Sequence, residues 1–286
     1  NHTIKPFGSL LIEPQLYDTI CYYFTMITEN TQNKSLVLIS GASRGIGKAF
    51  ADHYQKRKNI DVVGLGRSKK QRITLLDLLD EPAVNTFVRQ LDISPYRDLV
   101  YMHSIGIDKF EPDGKPHIDR DSDGIDDEVF ASNVTSFLNL ANPLLDKASC
   151  TKKPITILNV GSLSDVFNVP YWQSFTKSKN IVRKYLKSLP LDNVKAIILN
   201  VSSTLDEEKR TYGRPNADTT YWQTATELVS KSMGLIDGMS TLSSTYLEAD
   251  FYKYNPNFRP DYFTDLPRLF AIWQKDMGLS GRDIPH

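Results

Sequence analysis

From residue 35 onward the chain alternates short apolar runs with longer stretches whose apolar residues recur every three to four positions. The runs at 36–39, 61–66, 72–77, 98–104, 155–160 and 194–200 read as buried strands. Stretches at 48–57, 81–91, 129–140 and 219–231 carry apolar groups at helical spacing. Strand and helix in regular alternation predict an α/β fold, a doubly wound parallel sheet. One segment admits two registers. Leu91-Asp-Ile-Ser94 also passes for the end of the third strand, but the fourth strand would then follow within a few residues. A parallel crossover needs roughly a dozen or more. The third strand is therefore 72–77 and the crossover helix 81–91, with Pro82 tolerated in its first turn. Residues 68–71 are too few to hold a helix between strands two and three.

Residues 1–34 stand outside this alternation. Residues 16–27 are apolar and aromatic enough for a packed helix, and 29–34 read as a linker. At the other end 243–249 read as a seventh strand and 261–277 as a helix with Phe263, Leu266, Leu269, Phe270 and Trp273 on one face. The expected organisation is an N-terminal helical arm and linker (1–34), a central domain (35–250) and a C-terminal helical extension (251–286). Both ends are candidate surfaces for a protein partner. Packing on the chain's own domain is the plainer expectation for each.

Composition narrows the function classes. The 34 basic residues equal the 34 acidic ones, so the net charge is zero, which argues against a general nucleic-acid or acidic-membrane binder. Cys21 and Cys150 form no disulfide framework and no metal-site pattern. His2, His53, His103, His117 and His286 show no ligand spacing, so no metal is expected. No apolar run reaches membrane-spanning length and no leader is visible. The expectation is an intracellular, cytoplasmic protein. Residues 119–124 open like a calcium loop, but position twelve is Phe130 instead of a bidentate glutamate. A solvated acidic loop capping the next helix is expected there. The run 206–210 reads as a solvated charge cluster.

The chemistry begins after the first strand, at Ser40-Gly-Ala-Ser-Arg-Gly-Ile-Gly47. Strand, glycine-rich turn and helix together let backbone approach a pyrophosphate, with the helix N-terminus supplying N–H groups and partial positive charge. This segment resembles the cofactor turn of the short-chain dehydrogenases/reductases, and the resemblance runs from about residue 36 to about residue 201. It implies a Rossmann-type fold in which Gly41, Ser43, Arg44, Gly45, Ile46 and Gly47 hold a dinucleotide. It also implies Asp77 near the adenine and Gly106 at the turn after the fourth strand. Arg67 directly follows the second strand. A guanidinium there pairs with a 2′-phosphate, where an acid would bond the ribose hydroxyls of NAD. NADP(H) is the cofactor implied, with Arg44 as a second partner.

The resemblance further implies a catalytic group. Asn133 matches the residue that holds a relay water, Ser162 the serine that hydrogen-bonds the substrate carbonyl, and Lys179 the lysine that grips the nicotinamide ribose. In the family a tyrosine stands one helical turn before that lysine and transfers the proton while the cofactor supplies hydride. Here that position is Phe175. Tyr171 is the nearest substitute, a further turn of about 5–6 Å away. Two more departures accompany it: His103-Ser-Ile-Gly106 where the family has Asn-Asn-Ala-Gly, and Val201-Ser202 where it has Pro-Gly. Thr204 is a candidate for the threonine that in the family grips the cofactor carboxamide soon after that Pro-Gly.

Two functional readings follow. The favoured one is a catalytically inactive relative, with NADP(H) binding left open, that acts as a scaffold or regulatory partner of another macromolecule. The alternative is an NADPH-dependent carbonyl oxidoreductase with a substitute proton donor, either Tyr171 or a water held by Asn133 and Lys179. The resemblance also implies a homo-oligomer.

Overall fold

The structure, a computed structural model, describes residues 34–111, 113–167, 171–189, 192–211, 214–238, 245–253 and 265–278. The expected arm at 1–33, Cys21, His2, His286, Phe263 and the side chain of Leu266 lie outside the described residues.

The chain enters at β1 (Ser35–Ser40), which is buried along its whole length. Its alternate side chains serve two cores: Leu36 and Leu38 pack to one face, Val37 and Ile39 to the other. A strand buried on both faces is the signature of a sheet covered by helices on both sides. The turn after β1 leads into α1 (Gly45–Tyr54), so the expected helix start at residue 48 moves back to include the last two glycines. Then come β2 (Ile60–Gly66) and the short edge strand β3 (Ile73–Leu75), with no helix between them. Next is α2 (Glu81–Gln90), whose N-cap Asp80 accepts from Ala83 N at 3.0 Å. After β4 (Asp98–His103), α3 (Asp127–Phe130) passes through one π-helical turn, Ala131–Thr135, into α4 (Ser136–Thr151).

The second half contains β5 (Ile155–Ser162), the single turn α5 (Leu163–Val166) and α6 (Gln173–Lys187). It continues through β6 (Val194–Val201), β7 (Thr204–Leu205), β8 (Gln223–Thr224) and α7 (Ala225–Gly238). It ends with β9 (Tyr246–Phe251) and α8 (Leu266–Asp276). The sheet order is β3-β2-β1-β4-β5-β6-β9, and every pair in it is parallel. This is the doubly wound sheet expected. The strand order reverses between β1 and β4, which places a crevice at their C-terminal ends.

One face packs α2, α4 and α6 through Val84, Val88, Phe137, Leu140, Val182 and Leu186. The other packs α1 and α7 through Phe50, Tyr54, Leu228 and Met233. The stretch expected as one helix from 219 begins instead with β8, which pairs with β7 before α7 starts at Ala225. In the C-terminal extension, Leu269 and Trp273 of α8 join Leu163 and Trp172 in a third cluster. The aromatic face of that helix is therefore core where it is described.

The acidic loop behaves as a cap. Asp119 accepts from Asp123 N and Gly124 N, and Asp126 accepts from Glu128 N and Val129 N at the start of α3. Among the described residues no group of three or more His, Cys, Asp or Glu side chains is arranged to hold a metal ion. No helix among them is long and apolar enough to cross a membrane.

Candidate functional site

A cavity of about 740 Å³ opens where β1, β4, β5 and β6 end. Nine sequence-predicted residues line it around the expected cofactor: Gly41, Ser43, Arg44, Gly45, Ile46, Arg67, Asp77, Gly106 and Lys179. Ser162 and Phe175 line it as well. Gly47 and Asn133 do not; both are buried behind the wall.

The glycine turn explains its own composition. Gly41 has φ +73° and Gly45 has φ +57°, conformations that L side chains rarely adopt. A Cβ on Gly47 would sit 2.5 Å from Gly41 O and closer still to Ser104 Oγ. Ser104 donates its hydroxyl to Ser40 O at 2.6 Å. The serine thus staples the end of β4 to the glycine turn. Ile105 lines the cavity beside Gly41.

Three cations gather at the β2 end. Arg44 and Arg67 are exposed to the cavity. Lys70, which no sequence pattern singles out, donates to Ser43 O at 3.1 Å and lines the same wall. Asp77 lines the cavity too, with one carboxylate oxygen accepting from Leu79 N at 3.1 Å.

At the other end, Ser162 closes β5 and caps α5. Its hydroxyl accepts from Ser164 N at 3.1 Å, and its own N–H donates to Asp165 at 3.2 Å. This reciprocal capping box ties the serine to a buried ion pair, because Asp165 also accepts from Arg183 at 2.7 Å. Arg183 continues to Asn200 at 2.8 Å and Glu248 at 3.2 Å. The network joins β5, α6, β6 and β9 beneath the cavity floor. The Ser-x-x-Asp spacing at 162–165 is visible in the sequence as a capping signature; its link to Arg183 is not.

Asn133 sits in the π-helical turn. Its side chain bonds the Ile107 backbone twice, accepting from N at 2.9 Å and donating to O at 3.0 Å, and it also donates to Ser178 at 2.9 Å. π-turns inside helices recur at functional sites. Here the turn aims an amide at the β4 loop that carries Gly106.

Lys179 lies on α6 with its ammonium donating to Val160 O at 3.0 Å. Burial lowers its pKa to about 8, against the pull of Asp165 and Asp108. The ammonium is 5.5 Å from the centroid of the Phe175 ring. Tyr171 is not one turn earlier on this helix, because α6 starts only at Gln173 and Tyr171 has φ +69°. The buried carboxylate of Glu111 accepts from Ser174 N at 2.9 Å, and Glu111 N donates to Tyr171 O at 2.7 Å. Those bonds turn the chain before the helix. The Tyr171 ring then packs on Phe110 and Phe270, off the cavity wall. The expectation of Tyr171 as a displaced donor on the helix is corrected accordingly.

His103 at the end of β4 is wholly buried, its Nδ1 2.9 Å from both Ser40 Oγ and Tyr101 Oη. Burial, with Lys179 nearby, holds its pKa well below the ordinary value, so the ring is neutral. Thr204 lines the cavity and donates to Ser202 O at 2.9 Å. The run at 206–210 is not wholly solvated. Asp206 is buried and accepts from Glu208 N, Arg210 N and the Arg210 guanidinium, the last at 2.6 Å.

No protein-family model matches the sequence. No curated protein sequence matches it. Solved structures do. A 4-hydroxyisoleucine dehydrogenase complexed with NADH superposes with a TM-score of 0.60 at 18% identity, over 76% of this chain and 97% of that one. A short-chain dehydrogenase from Burkholderia cenocepacia in complex with NADP gives 0.59 at 15% identity, over 84% and 94%. The closed form of a serine dehydrogenase complexed with NADP+ gives 0.60 at 15%, over 75% and 94%. Likeness at such identities establishes architecture: the chain has the doubly wound fold of these dehydrogenases.

Proposed function

We propose that the chain binds NADP(H) in this cavity, does not carry out tyrosine-dependent hydride transfer, and acts as a cofactor-responsive regulatory partner of another macromolecule. Phe175 carries the reading. It stands on the cavity wall beside the Lys179 ammonium, and among the described residues no tyrosine lines that wall. A phenyl ring fills the space of a phenol and has no proton to give.

The residues fit a dinucleotide. The left-handed glycines and the start of α1 leave a concave backbone surface for a pyrophosphate. Arg44, Arg67 and Lys70 supply the cations a 2′-phosphate requires, and Lys179, which lines the same cavity, is assigned to the ribose. When bound, the cofactor supplies a transferable hydride and polyanionic charge. Solved neighbours complexed with NADH or NADP support the assignment. A plain scaffold, by contrast, has no use for a cavity of about 740 Å³ lined by cations. Partner docking is assigned to residues 1–34 or 251–286, and self-association to the helices bearing Asn133 and Lys179.

One observation favours a second reading, an NADPH-dependent carbonyl reductase. With a pKa of about 8, Lys179 is itself able to give up a proton near neutral pH. NADPH oxidation over a panel of aldehydes and ketones separates the two. The unaltered chain is expected to show none above background, and Phe175→Tyr to gain measurable turnover. Robust turnover by the unaltered chain that disappears in Lys179→Met overturns the first reading in favour of the second.

A further inference from the structure

The far end of the cavity holds a cation that the dinucleotide reading does not use. Arg214 lies on the wall with its guanidinium carbon 4.4 Å from the Trp222 ring centroid and 6.0 Å from that of Trp172. Its Nη2 donates to Ser203 Oγ at 3.0 Å. Trp273 of α8 meets Trp172 edge-on at 6.2 Å. All three tryptophans line the cavity. They come from the start of α6, the approach to β8, and the C-terminal helix.

A guanidinium seated against indole faces gains cation–π attraction and loses the freedom of a long side chain. Its plane is fixed, and a planar guanidinium held in place is a geometric match for a carboxylate. The surrounding surface is aromatic, which suits an apolar body and excludes water from the charge pair. Arg210 also lines the cavity, ion-paired with Asp206 and Glu208, and Asp108 faces both Lys179 and Arg214. Burial pushes the carboxyls of Asp108 and Asp276 upward, against the pull of Arg214.

We infer that this end of the cavity takes a small carboxylate with an aromatic or apolar body, its carboxylate on Arg214 and its body against the tryptophan walls. The inference rests on the reading of the other end as the NADP(H) site, and it names the class of the second ligand.

Phenylacetate and phenylacetamide share a shape and differ in charge, so they make the test. Each is titrated into the full chain, with and without saturating NADP+, and followed by calorimetry and tryptophan fluorescence. Phenylacetate is expected to bind at least about tenfold tighter than the amide. Arg214→Gln is expected to abolish that preference, and Arg214→Lys to keep only part of it. Equal affinities, no phenylacetate binding up to about 20 mM, or an unchanged preference in Arg214→Gln each overturn the inference. The acid-to-amide comparison on the unaltered chain stands even if a variant fails to fold. A preserved acid preference without any NADP+ binding overturns the cofactor reading and leaves this one in place.

Discussion

Lys179 shows how burial of a single residue sets the energetics of the site. Its folded pKa of about 8 lies below the ordinary 10.5 because burial penalises the cation more than Asp165 and Asp108 favour it. Between those two values the unfolded chain binds the extra proton. The cost of the buried charge is therefore carried in full below pH 8, and stability rises as pH climbs from 8 towards 10.5. The whole effect is of order 3 kcal/mol. Lys179→Met is expected to be more stable than the unaltered chain at pH 7 by about 1–3 kcal/mol and to lose the rise above pH 8. Urea unfolding at pH 7 and pH 9.5 reads both; a less stable variant with an unchanged pH slope contradicts the account. Gly47 is the opposite case, a residue that matters for what it lacks. Gly47→Ala puts a methyl group into Gly41 O and Ser104 Oγ, which displaces the turn. A loss of about 1–3 kcal/mol in urea unfolding and loss of NADP(H) affinity in calorimetry are expected together.

At the scale of elements, the sequence is legible wherever the information is local. The third strand falls at Ile73–Leu75, within the expected run, because chain length alone excludes the competing register. Phe175 falls one helical turn before Lys179 on α6, as the spacing requires. The misreadings have nonlocal causes. Helical spacing alone extends α6 back to Tyr171, whereas its start is set by Glu111, 63 residues from Ser174 in sequence. A charge run such as 206–210 gives no sign that the Asp206 carboxylate folds back on its own backbone. Arg183 stands out in no motif because its partners come from α5, β6 and β9. Its variant tests the cavity floor. Arg183→Met leaves Asp165 buried beside no guanidinium and is expected to cost about 3–5 kcal/mol in urea unfolding. A cost below about 1 kcal/mol would show that the network does not hold the floor together.

At the scale of the whole molecule, the architecture and the site differ in how far the sequence reveals them. The sheet, its strand order and the crevice between β1 and β4 follow from the alternation of strands and helices, a pattern local enough to be legible along the chain. The tryptophan-walled end is not legible in that way, since Trp172, Trp222, Trp273 and Arg214 converge from segments that only tertiary packing unites. The same packing places α8: Leu269 and Trp273 cluster with Leu163 and Trp172, and Trp273 lines the cavity. The cavity carries Arg44, Arg67 and Lys70 on one wall and Phe175 beside Lys179 on another, which on the proposed reading hold a phosphorylated dinucleotide and offer it no phenolic proton. The most direct test of that account is calorimetric titration of NADPH, with NADH in parallel, into the unaltered chain at about 0.15 M salt. The account requires saturable NADPH binding, at least about tenfold tighter than NADH because of Arg44, Arg67 and Lys70. No heat of binding up to millimolar NADPH, or a preference for NADH, contradicts it.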